Sequence, residues 1–207
     1  YGGQKDIKKQ TIRTVGKAYD RFMEDGLRPV RALRFATQLG FKIEEGTFKA
    51  IANAVVQKKI ASISMERFRD EFVKMMKARK PSVGIKLLEE TGLLSVFIPE
   101  FTVCRGCVQA DDRAYHIFDV MDHCIYACDG APESKPLVRI AALFHDIGKP
   151  AAKTEHDENG MHIINFYQHE KKSVEITKIA MTRLKFSNAE IDHVCHLIDQ
   201  HMFYYEP

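Results

Sequence analysis

The sequence predicts an all-α fold, because apolar residues recur at helical spacing and the periodic runs end at glycine or proline. Ala32, Phe35, Ala36 and Leu39 follow this spacing, and Gly40, a residue type that commonly ends helices, comes directly after them. Further helices are predicted over 47–56, 62–78, 82–92, 114–129, 135–147, 167–184 and 187–202.

Residues 1–17 do not follow this pattern. The segment KDIKKQTIRTVG alternates β-branched and polar residues loosely and ends at Gly16, which predicts a hairpin edge or a last strand. A lone strand pair is only marginally stable in water, and the sequence starts without a methionine. We therefore expect a short β remnant that belongs to a preceding part of a longer protein.

The composition is that of a globular protein rather than a disordered chain, with 45% apolar and 29% charged residues among 207. Because no apolar run approaches the roughly 20 residues that span a bilayer, we expect no membrane partner. Five cysteines, an odd number, favour free thiols and a cytoplasmic location. The net charge of +3 permits an RNA partner without requiring one.

Three arginines, Arg28, Arg31 and Arg34, lie along one edge of the first long predicted helix, and Glu24 and Asp25 precede it. Successive arginines are displaced by about 60° around the axis, so they form a slanted stripe. A carboxylate beside a guanidinium offers acceptors next to donors, as the edge of a nucleobase does. The pattern therefore indicates a nucleotide-binding edge, and the alternative is an N-capping aspartate on a salt-bridged helix.

A second group of polar residues centres on His145 and Asp146, at the end of an apolar helix that we expect Gly148 and Pro150 to terminate. Other candidate residues lie upstream on one predicted helical face and downstream: His116, Asp119 and His123, then His162, His169 and His201. Imidazole and carboxylate ligands suit a divalent transition metal, which can activate water for phosphoester hydrolysis. A purely structural role is the alternative, above all for the His116–Asp119 pair.

The cysteines and lysines give weaker indications. A zinc site could use Cys104-x-x-Cys107 with Cys124 and Cys128, but the second pair is spaced four residues apart on a helix, which favours buried thiols. Adjacent lysines would contact an RNA backbone if they shared one side of the protein and are otherwise solvated surface: Lys8, Lys9, Lys58, Lys59, Lys171 and Lys172.

Many motifs, in order, resemble the neck and body of bacterial tRNA nucleotidyltransferases (CCA-adding enzymes) and the related poly(A) polymerases. They cover essentially the whole chain: YGGQKDIKKQTIRTVG, RFMEDGLRPVRALRFATQLGF, ISMERFRDEFVKMM, GIKLLEETGLL, IPEF, HIFDVMDHCIYACDG, LVRIAALFHDIGKP, FYQHEKKSVEI and LKFSN. The terminal HMFYYEP resembles the beginning of the next family segment.

The resemblance implies that Asp25 and Arg28 read the base of ATP or CTP by Watson–Crick-like hydrogen bonds, and that Glu24 orients the arginine. Two further arginines of the same helix match positions near the triphosphate or in structural pairs, namely Arg31 and Arg34. Pro29 departs from the family pattern. If Asp25 caps the helix, we expect Pro29 to remove a backbone donor about one turn in and to shift Arg28.

The later motifs resemble the superfamily named after its His-Asp pair. The resemblance implies three metal ligands and two auxiliary histidines: His123, His145 and Asp146, then His169 and His201. The last aspartate of that pattern has no clear match. Asp199 is a candidate that stands too early in the chain.

The resemblance also implies three regions: 1–17 from the end of a nucleotidyltransferase head, 18–80 as a neck of nucleotide-selecting helices, and 81–207 as a body with the HD-type motif, ending before the tail. The head would hold the catalytic Mg²⁺ ions, so no catalytic residue for nucleotidyl transfer is expected in this chain. The implied function is addition of CMP and AMP to the 3′ end of tRNA. The alternatives are a metal-dependent phosphohydrolase and an inert RNA-binding remnant.

Overall fold

The computed structural model describes residues 2–112 and 117–202. It divides the chain into two compact units, Tyr1–Phe97 and Ile98–Pro207. Helices dominate both units, so the predicted all-α class with little β structure is confirmed. The predicted division into head remnant, neck and body stays a prediction.

The first unit contains eight helices and two short strands within its described residues. They are α1 (Gly3–Lys8), β1 (Thr11–Ile12), α2 (Ala18–Glu24), α3 (Leu27–Leu39), β2 (Lys42–Ile43), α4 (Glu45–Ile51), α5 (Ala54–Ala61), α6 (Met65–Met76), α7 (Pro81–Glu90) and α8 (Leu93–Phe97).

The second unit begins with a 3₁₀ turn at Pro99–Cys104. Its further described elements are α9 (Val120–Gly130), α10 (Pro136–Phe144), α11 (Lys149–Ala152), β3 (Thr154–Glu158), β4 (Met161–Asn165), α12 (His169–Arg183) and α13 (Asn188–Asp199).

The N-terminal segment differs from the predicted hairpin edge. Gly3–Lys8 is helical, and only the two residues of β1 are extended. They pair in parallel with β2, Thr11 opposite Lys42 and Ile12 opposite Ile43. Because the amide groups of Lys5 and Lys9 bond to carbonyls within this segment, the loose alternation of β-branched residues there does not produce a strand.

The helix ends of the first unit follow the sequence signals. The side chain of Ser64 accepts a hydrogen bond from the Arg67 amide and caps α6. Gly40 takes the left-handed conformation, with φ of 66°, and its N–H bonds to the Ala36 carbonyl at the end of α3. Helix α3 packs against α6 and α7, and the buried core of this unit includes Leu33, Phe68, Phe72 and Met75.

Helices α9, α10, α12 and α13 pack together in the second unit, and β3 and β4 form an antiparallel hairpin. This hairpin was not predicted, although its Asn159-Gly160 turn is a strong local signal. Both residues have positive φ, 53° and 80°, as a two-residue hairpin turn requires.

The prediction that Gly148 and Pro150 terminate a helix is corrected in part. Helix α10 already ends at Phe144, whereas Gly148 precedes α11 and Pro150 lies in its first turn. Proline is tolerated there because the first N–H groups of a helix have no partner within it. A side chain at Gly148 would come within 2.5 Å of the His169 carbonyl, so glycine allows this close approach to α12.

In the part of the chain that the structure describes, no helix is both long and apolar enough to cross a membrane.

Candidate functional site

The acidic pair of the first unit lies at the junction of α2 and α3. Glu24 is the last residue of α2, and its Oε2 is 2.6 Å from Nη1 of Arg28 in the first turn of α3. Its Oε1 accepts a hydrogen bond of 2.8 Å from Arg21. The hydrogen bond from Arg28 outweighs the desolvation of Glu24 and holds the pKa of the carboxyl below its ordinary value. Glu24 therefore orients Arg28 as a charged partner.

Asp25 faces a different arginine. Its Oδ1 accepts a hydrogen bond of 3.0 Å from the Leu27 amide, and Nη2 of Arg67 on α6 lies 3.1 and 3.0 Å from the two carboxylate oxygens. The Leu27 amide and then Arg67 lower the pKa of Asp25. Because Arg67 lies 42 residues away in sequence, no local pattern predicts this contact.

Asp25 bonds to the first amide of α3, but the N-cap residue is Gly26 and not Asp25. Pro29 also has less effect than expected. Leu27 is the first residue of α3, so Pro29 is the third. The Asp25 carbonyl accepts from the Arg28 amide at 3.1 Å instead. The ring therefore removes no established hydrogen bond, since the opening amides of a helix lack partners within it.

The three arginines of α3 occupy different environments. Arg28 and Arg31 line a cavity of about 280 Å³. Arg34 is buried, with 8% of its surface exposed. Its Nε pairs with Glu71 of α6, its Nη1 with Gln38, and its guanidinium lies 3.8 Å from the Phe35 ring centroid. Arg34 therefore ties α3 to α6, whereas Arg28 and Arg31 face the cavity.

The second unit brings five predicted residues together, with four histidines around the carboxylate of Asp146. His123 comes from α9, His145 and Asp146 follow α10, His169 begins α12, and His201 follows α13. Nε2 of His123 and of His145 lie 3.4 and 3.2 Å from Asp146 Oδ2. On the other oxygen, Oδ1, Nε2 of His169 and of His201 lie at 3.1 and 3.5 Å. Asp146 thus joins two groups of possible ligands.

Three of these rings are oriented by peptide carbonyls three residues earlier. Nδ1 of His145 is 2.8 Å from the Ala142 carbonyl oxygen, and Nδ1 of His169 is 2.8 Å from that of Phe166. In the same way, Nδ1 of His201 is 2.6 Å from the Ile198 oxygen. Since a carbonyl only accepts, Nδ1 carries a proton, and Nε2 is the ring atom that faces the cluster. Nε2 donates to Asp146 when the ring is protonated, and it offers a lone pair to a metal when the ring is neutral.

The spacing of these atoms fits a metal ion. The Nε2 atoms of His123 and His145 are 3.1 Å apart, and those of His169 and His201 are 3.2 Å apart. Ligands at about 2.0–2.1 Å in tetrahedral geometry are separated by about 3.3 Å, which is close to all six donor separations in the two groups. The structure therefore contains a possible metal site built on Asp146.

Asp146 is buried, with 2% of its surface exposed. Burial opposes its ionisation, but hydrogen bonds with His145, His169 and His201 outweigh this effect and hold the pKa of the carboxyl far below its ordinary value. Asp146 is therefore ionised, which is the form that binds a metal.

Lys149 and Gln109 complete the wall of the cluster. Nζ of Lys149 lies 2.7 Å from Asp146 Oδ2 and 2.8 Å from Oε1 of Gln109. Both residues are buried, and both line the cavity of about 500 Å³ that opens onto the histidines. The cluster thus combines possible metal ligands with a fixed ammonium group. Gln109 was not singled out from the sequence, where nothing marks it.

Other predicted members lie outside the cluster. Asp199 was a candidate metal ligand, but it pairs with Lys171 at 2.5 Å and is not part of the cluster. Asp119 is the N-cap of α9, where its side chain accepts from the amides of Asp122 and Gly106, so this carboxylate caps the helix that carries His123. His116 and the terminal segment 203–207 lie outside the described residues. His162 pairs with Asp157 on the hairpin.

The cysteines do not form the zinc site that was considered. Within residues 2–112 and 117–202, the groups with metal-ligand spacing contain no cysteine. Cys104, Cys124 and Cys128 are buried, and desolvation raises the pKa of the Cys104 thiol to about 12. These three cysteines are buried free thiols, as the spacing of the second pair favoured.

Two known protein families match consecutive parts of the chain. Residues 40–104 match the family described as the probable RNA and SrmB-binding site of polymerase A. Residues 113–207 match the HD domain family, whose name refers to a His-Asp pair such as His145-Asp146.

Curated relatives extend the match over nearly the whole chain. It is 32% identical over 208 residues to an A-adding tRNA nucleotidyltransferase of Deinococcus radiodurans and 28% identical to a CC-adding tRNA nucleotidyltransferase of Thermus thermophilus. Each alignment covers 97% of this chain and 46% of the relative. A CCA-adding enzyme of Geobacillus thermodenitrificans is 47% identical over 100 residues, 48% of this chain and 24% of that enzyme. The chain thus spans less than half the length of these relatives.

Solved structures share the fold. A CCA-adding enzyme in an apo form aligns with 97% of this chain and 40% of its own chain, at a TM-score of 0.57 and 18% identity. A CCA-adding enzyme solved with ATP gives a TM-score of 0.54 at 20% identity, with the same coverage. These structures show the shared fold. The two curated relatives that match 97% of this chain, and the two matched families, show that the chain belongs to the family of bacterial tRNA nucleotidyltransferases and related poly(A) polymerases.

Proposed function

We propose that this chain is the nucleotide-selecting and tRNA-docking part of a tRNA nucleotidyltransferase that adds CMP and AMP to the 3′ end of tRNA. The observation that carries the proposal is the α2–α3 junction, where Glu24 orients Arg28 and Arg67 orients Asp25. The similarity to A-adding and CC-adding enzymes over 97% of the chain supports the same reaction class.

The junction offers a donor and an acceptor to a planar ligand. Arg28 uses Nη1 for Glu24 and the Arg21 carbonyl, and a guanidinium has five N–H groups. Asp25 keeps acceptor capacity beside Arg67, because each carboxylate oxygen has two lone pairs. An amino group beside an unprotonated ring nitrogen, as in adenine and cytosine, matches this pair. Guanine and uracil present a carbonyl beside a ring N–H and do not match it.

The partners follow from this role. We propose that ATP and CTP bind at the junction, that tRNA binds to the same protein, and that the reaction takes place in the cytoplasm. The transfer step itself would use Mg²⁺ held by a head domain, as the family resemblance implies.

Binding of ATP, CTP, GTP and UTP, measured by isothermal titration calorimetry, tests the selection role. We expect the protein to prefer ATP and CTP, and Asp25→Ala and Arg28→Ala each to reduce that preference by roughly tenfold, the equivalent of about 1.4 kcal/mol. Glu45→Ala is the matched control, because Glu45 is exposed and pairs with Lys49 away from the junction. If both junction variants keep the wild-type preference, the assignment of Asp25 and Arg28 is wrong.

A second candidate function is metal-dependent phosphoester hydrolysis in the second unit, favoured by the convergence of four Nε2 atoms on Asp146. His123, His145 and Asp146 would hold a divalent transition metal, with His169 and His201 as auxiliary ligands. When bound, such a metal lowers the pKa of a coordinated water molecule. The peptide carbonyls fix the rings, and the Lys149 ammonium offers a charge partner to a phosphate in the cavity.

Hydrolysis of bis(p-nitrophenyl) phosphate with added Ni²⁺, Co²⁺ or Mn²⁺ tests this second activity. We expect His145→Ala and Asp146→Ala to abolish it, and His193→Ala, which changes an exposed histidine outside the cluster, to retain it. No metal-dependent turnover by the wild-type protein would exclude hydrolysis of this substrate class and leave the second unit as an RNA-binding body.

A further inference from the structure

Oδ2 of Asp146 already has a cationic side chain at hydrogen-bond distance. Nζ of Lys149 lies 2.7 Å from this oxygen, closer than Nε2 of His145 at 3.2 Å or Nε2 of His123 at 3.4 Å. An ammonium group this close to an ionised carboxylate makes a charge-assisted hydrogen bond, which is stronger than a neutral one. A metal ion held by His123, His145 and Oδ2 would therefore have to share this oxygen with the lysine.

Lys149 is fixed in this position by its surroundings. It is only 6% exposed, its Nζ donates to Oε1 of Gln109 at 2.8 Å, and Nζ lies 5.2 Å from the ring centroid of Phe166. Gln109 is itself 2% exposed, and its Nε2 donates to the Phe118 carbonyl at 3.1 Å, which leaves Oε1 facing the lysine. Moving the ammonium group away from Asp146 would leave buried charges without partners, which is costly.

The other carboxylate oxygen, Oδ1 of Asp146, has a different set of neighbours. Among the described residues it pairs with imidazole rings only, with Nε2 of His169 at 3.1 Å and of His201 at 3.5 Å. Nδ1 of each ring is held by a peptide carbonyl, that of Phe166 or of Ile198, so both Nε2 atoms face the carboxylate in advance. This group therefore offers three oriented ligand atoms within 4.8 Å of one another.

Charge repulsion makes the two groups unequal as metal sites. A divalent ion bound through Oδ2 would lie beside the Lys149 ammonium in a buried place, where like charges repel each other more strongly than in water. An ion bound through Oδ1 would instead share the carboxylate with the ammonium, one cation on each oxygen. His169 and His201 also line the cavity of about 500 Å³, so a metal with three protein ligands there could keep a position open to it.

We propose that this chain binds a single divalent transition metal ion through Oδ1 of Asp146, His169 and His201, and that Lys149 takes the place of a second ion on Oδ2. Lys149 thus limits the metal content of the cluster, and Gln109 is the residue that positions it. The proposal rests on the metal-binding part of the second candidate function. It reverses the roles given there to the two pairs of histidines.

Titration calorimetry with Ni²⁺ alone, together with metal analysis after dialysis, tests the ligand assignment. We expect the wild-type protein to bind a single Ni²⁺ ion per chain. His169→Ala and His201→Ala should each weaken its binding by at least roughly tenfold, the loss that even a residue behind a metal ligand can cause. His123→Ala should keep the affinity within about threefold of wild type.

Lys149→Met tests the role of the lysine. Methionine fills a similar volume without a charge, so Oδ2 becomes available, and we expect this variant to bind a second Ni²⁺ ion. The second ion should be lost again when His123→Ala is added to Lys149→Met, which identifies the group that holds it. Lys153→Met is the control, because Lys153 pairs with Glu155 and does not line the cavity.

The ligand assignment would be overturned by two Ni²⁺ ions in the wild-type protein, by no Ni²⁺ binding, or by a loss in His123→Ala as large as that in His169→Ala. A Lys149→Met variant that keeps the wild-type melting temperature but binds a single ion would overturn the role of the lysine, as would a second ion in Lys153→Met. If Lys149→Met does not fold, the comparison of the histidine variants still decides between the two groups.

The same titrations separate this proposal from hydrolysis of phosphoesters. A single ion that depends on His169 and His201, with no turnover of bis(p-nitrophenyl) phosphate, would support the proposal and exclude that activity. Two ions per wild-type chain with metal-dependent turnover would support the activity and overturn the proposal.

Discussion

Arg67 and Asp25 form a two-oxygen contact, with Nη2 of the arginine 3.1 and 3.0 Å from the two carboxylate oxygens. The contact joins α6 to the start of α3, where Asp25 also bonds to the Leu27 amide. Exposed ion pairs of this kind contribute at most about 1 kcal/mol to stability. Its larger effect is therefore on the direction in which the Asp25 carboxylate points.

Arg67→Ala should reduce nucleotide preference more than it reduces stability. We expect the preference for ATP and CTP over GTP and UTP to fall roughly tenfold, about 1.4 kcal/mol, with a melting temperature within a few degrees of wild type. Arg69→Ala is the matched control on α6, since Arg69 pairs with its neighbour Asp70. Equal nucleotide preferences in wild type and Arg67→Ala would contradict a positioning role for Arg67.

Glu71 should make the stability of the first unit depend on pH. Burial opposes its ionisation, but Lys74 and Arg34 outweigh burial and lower its pKa from the ordinary 4.5. Because the folded pKa is depressed, this stabilisation is present above about 4.5 and is lost as the pH falls through the folded value. Glu71→Gln leaves the buried Arg34 without its ionic partner and should cost about 3 kcal/mol near neutral pH.

Urea denaturation of wild type and Glu71→Gln between pH 2 and 8 measures this dependence. The difference in free energy of unfolding should shrink towards acid pH, as the wild-type carboxyl becomes protonated. Glu45→Gln, at an exposed pair, should show little difference at any pH. A Glu71→Gln difference that is constant across this range would show that the loss has another cause.

Metal binding should depend on Asp146 and not on Asp199. Asp146 supplies one oxygen to each group of ligands, whereas Asp199 pairs with Lys171. We expect Asp146→Ala to lower the Ni²⁺ affinity at least tenfold and His145→Ala to lower it less, because the Asp146–His169–His201 group remains. Metal content after dialysis, together with titration calorimetry, checks this order. A loss in Asp199→Ala equal to that in Asp146→Ala would contradict the cluster as described.

Gly148→Ala should destabilise the second unit and disturb the cluster together. A Cβ atom there would lie 2.5 Å from both the His169 carbonyl oxygen and the Ser173 amide nitrogen, so backbone must move. We expect a loss of about 1–3 kcal/mol, measured by thermal unfolding, and weaker Ni²⁺ binding. Gly130→Ala is the control, because its added methyl group meets no atom within 4 Å. Equal melting temperatures for Gly148→Ala and wild type would contradict the close approach.

Local patterns predicted the elements whose causes are local. Gly40 ends α3, Ser64 caps α6, and Phe68 and Phe72 face the core, because each depends on residues within one or two turns. The Asn159-Gly160 turn was equally local, and its hairpin was missed among predicted helices.

Contacts between distant segments could not be predicted in this way. His169 and His201 meet only because α12 and α13 pack together, and Arg67 reaches Asp25 only because α6 lies beside α3. At the end of α13, a difference of two residues decides which side chain reaches the cluster, as Asp199 shows. It precedes His201 by two residues, about 200° around a helix, and it points to Lys171 instead of the cluster.

Three histidines of the cluster, His145, His169 and His201, lie where helices begin or end, and Nδ1 of each is bound to a carbonyl of its own chain segment. The position of each helix boundary therefore determines the orientation of one imidazole ring and which of its nitrogens faces the cluster. Inserting or deleting one residue before such a boundary would turn the ring by about 100°, although every ligand would still be present in the sequence. The chemistry of this unit is thus encoded as much in helix length as in the identity of its histidines.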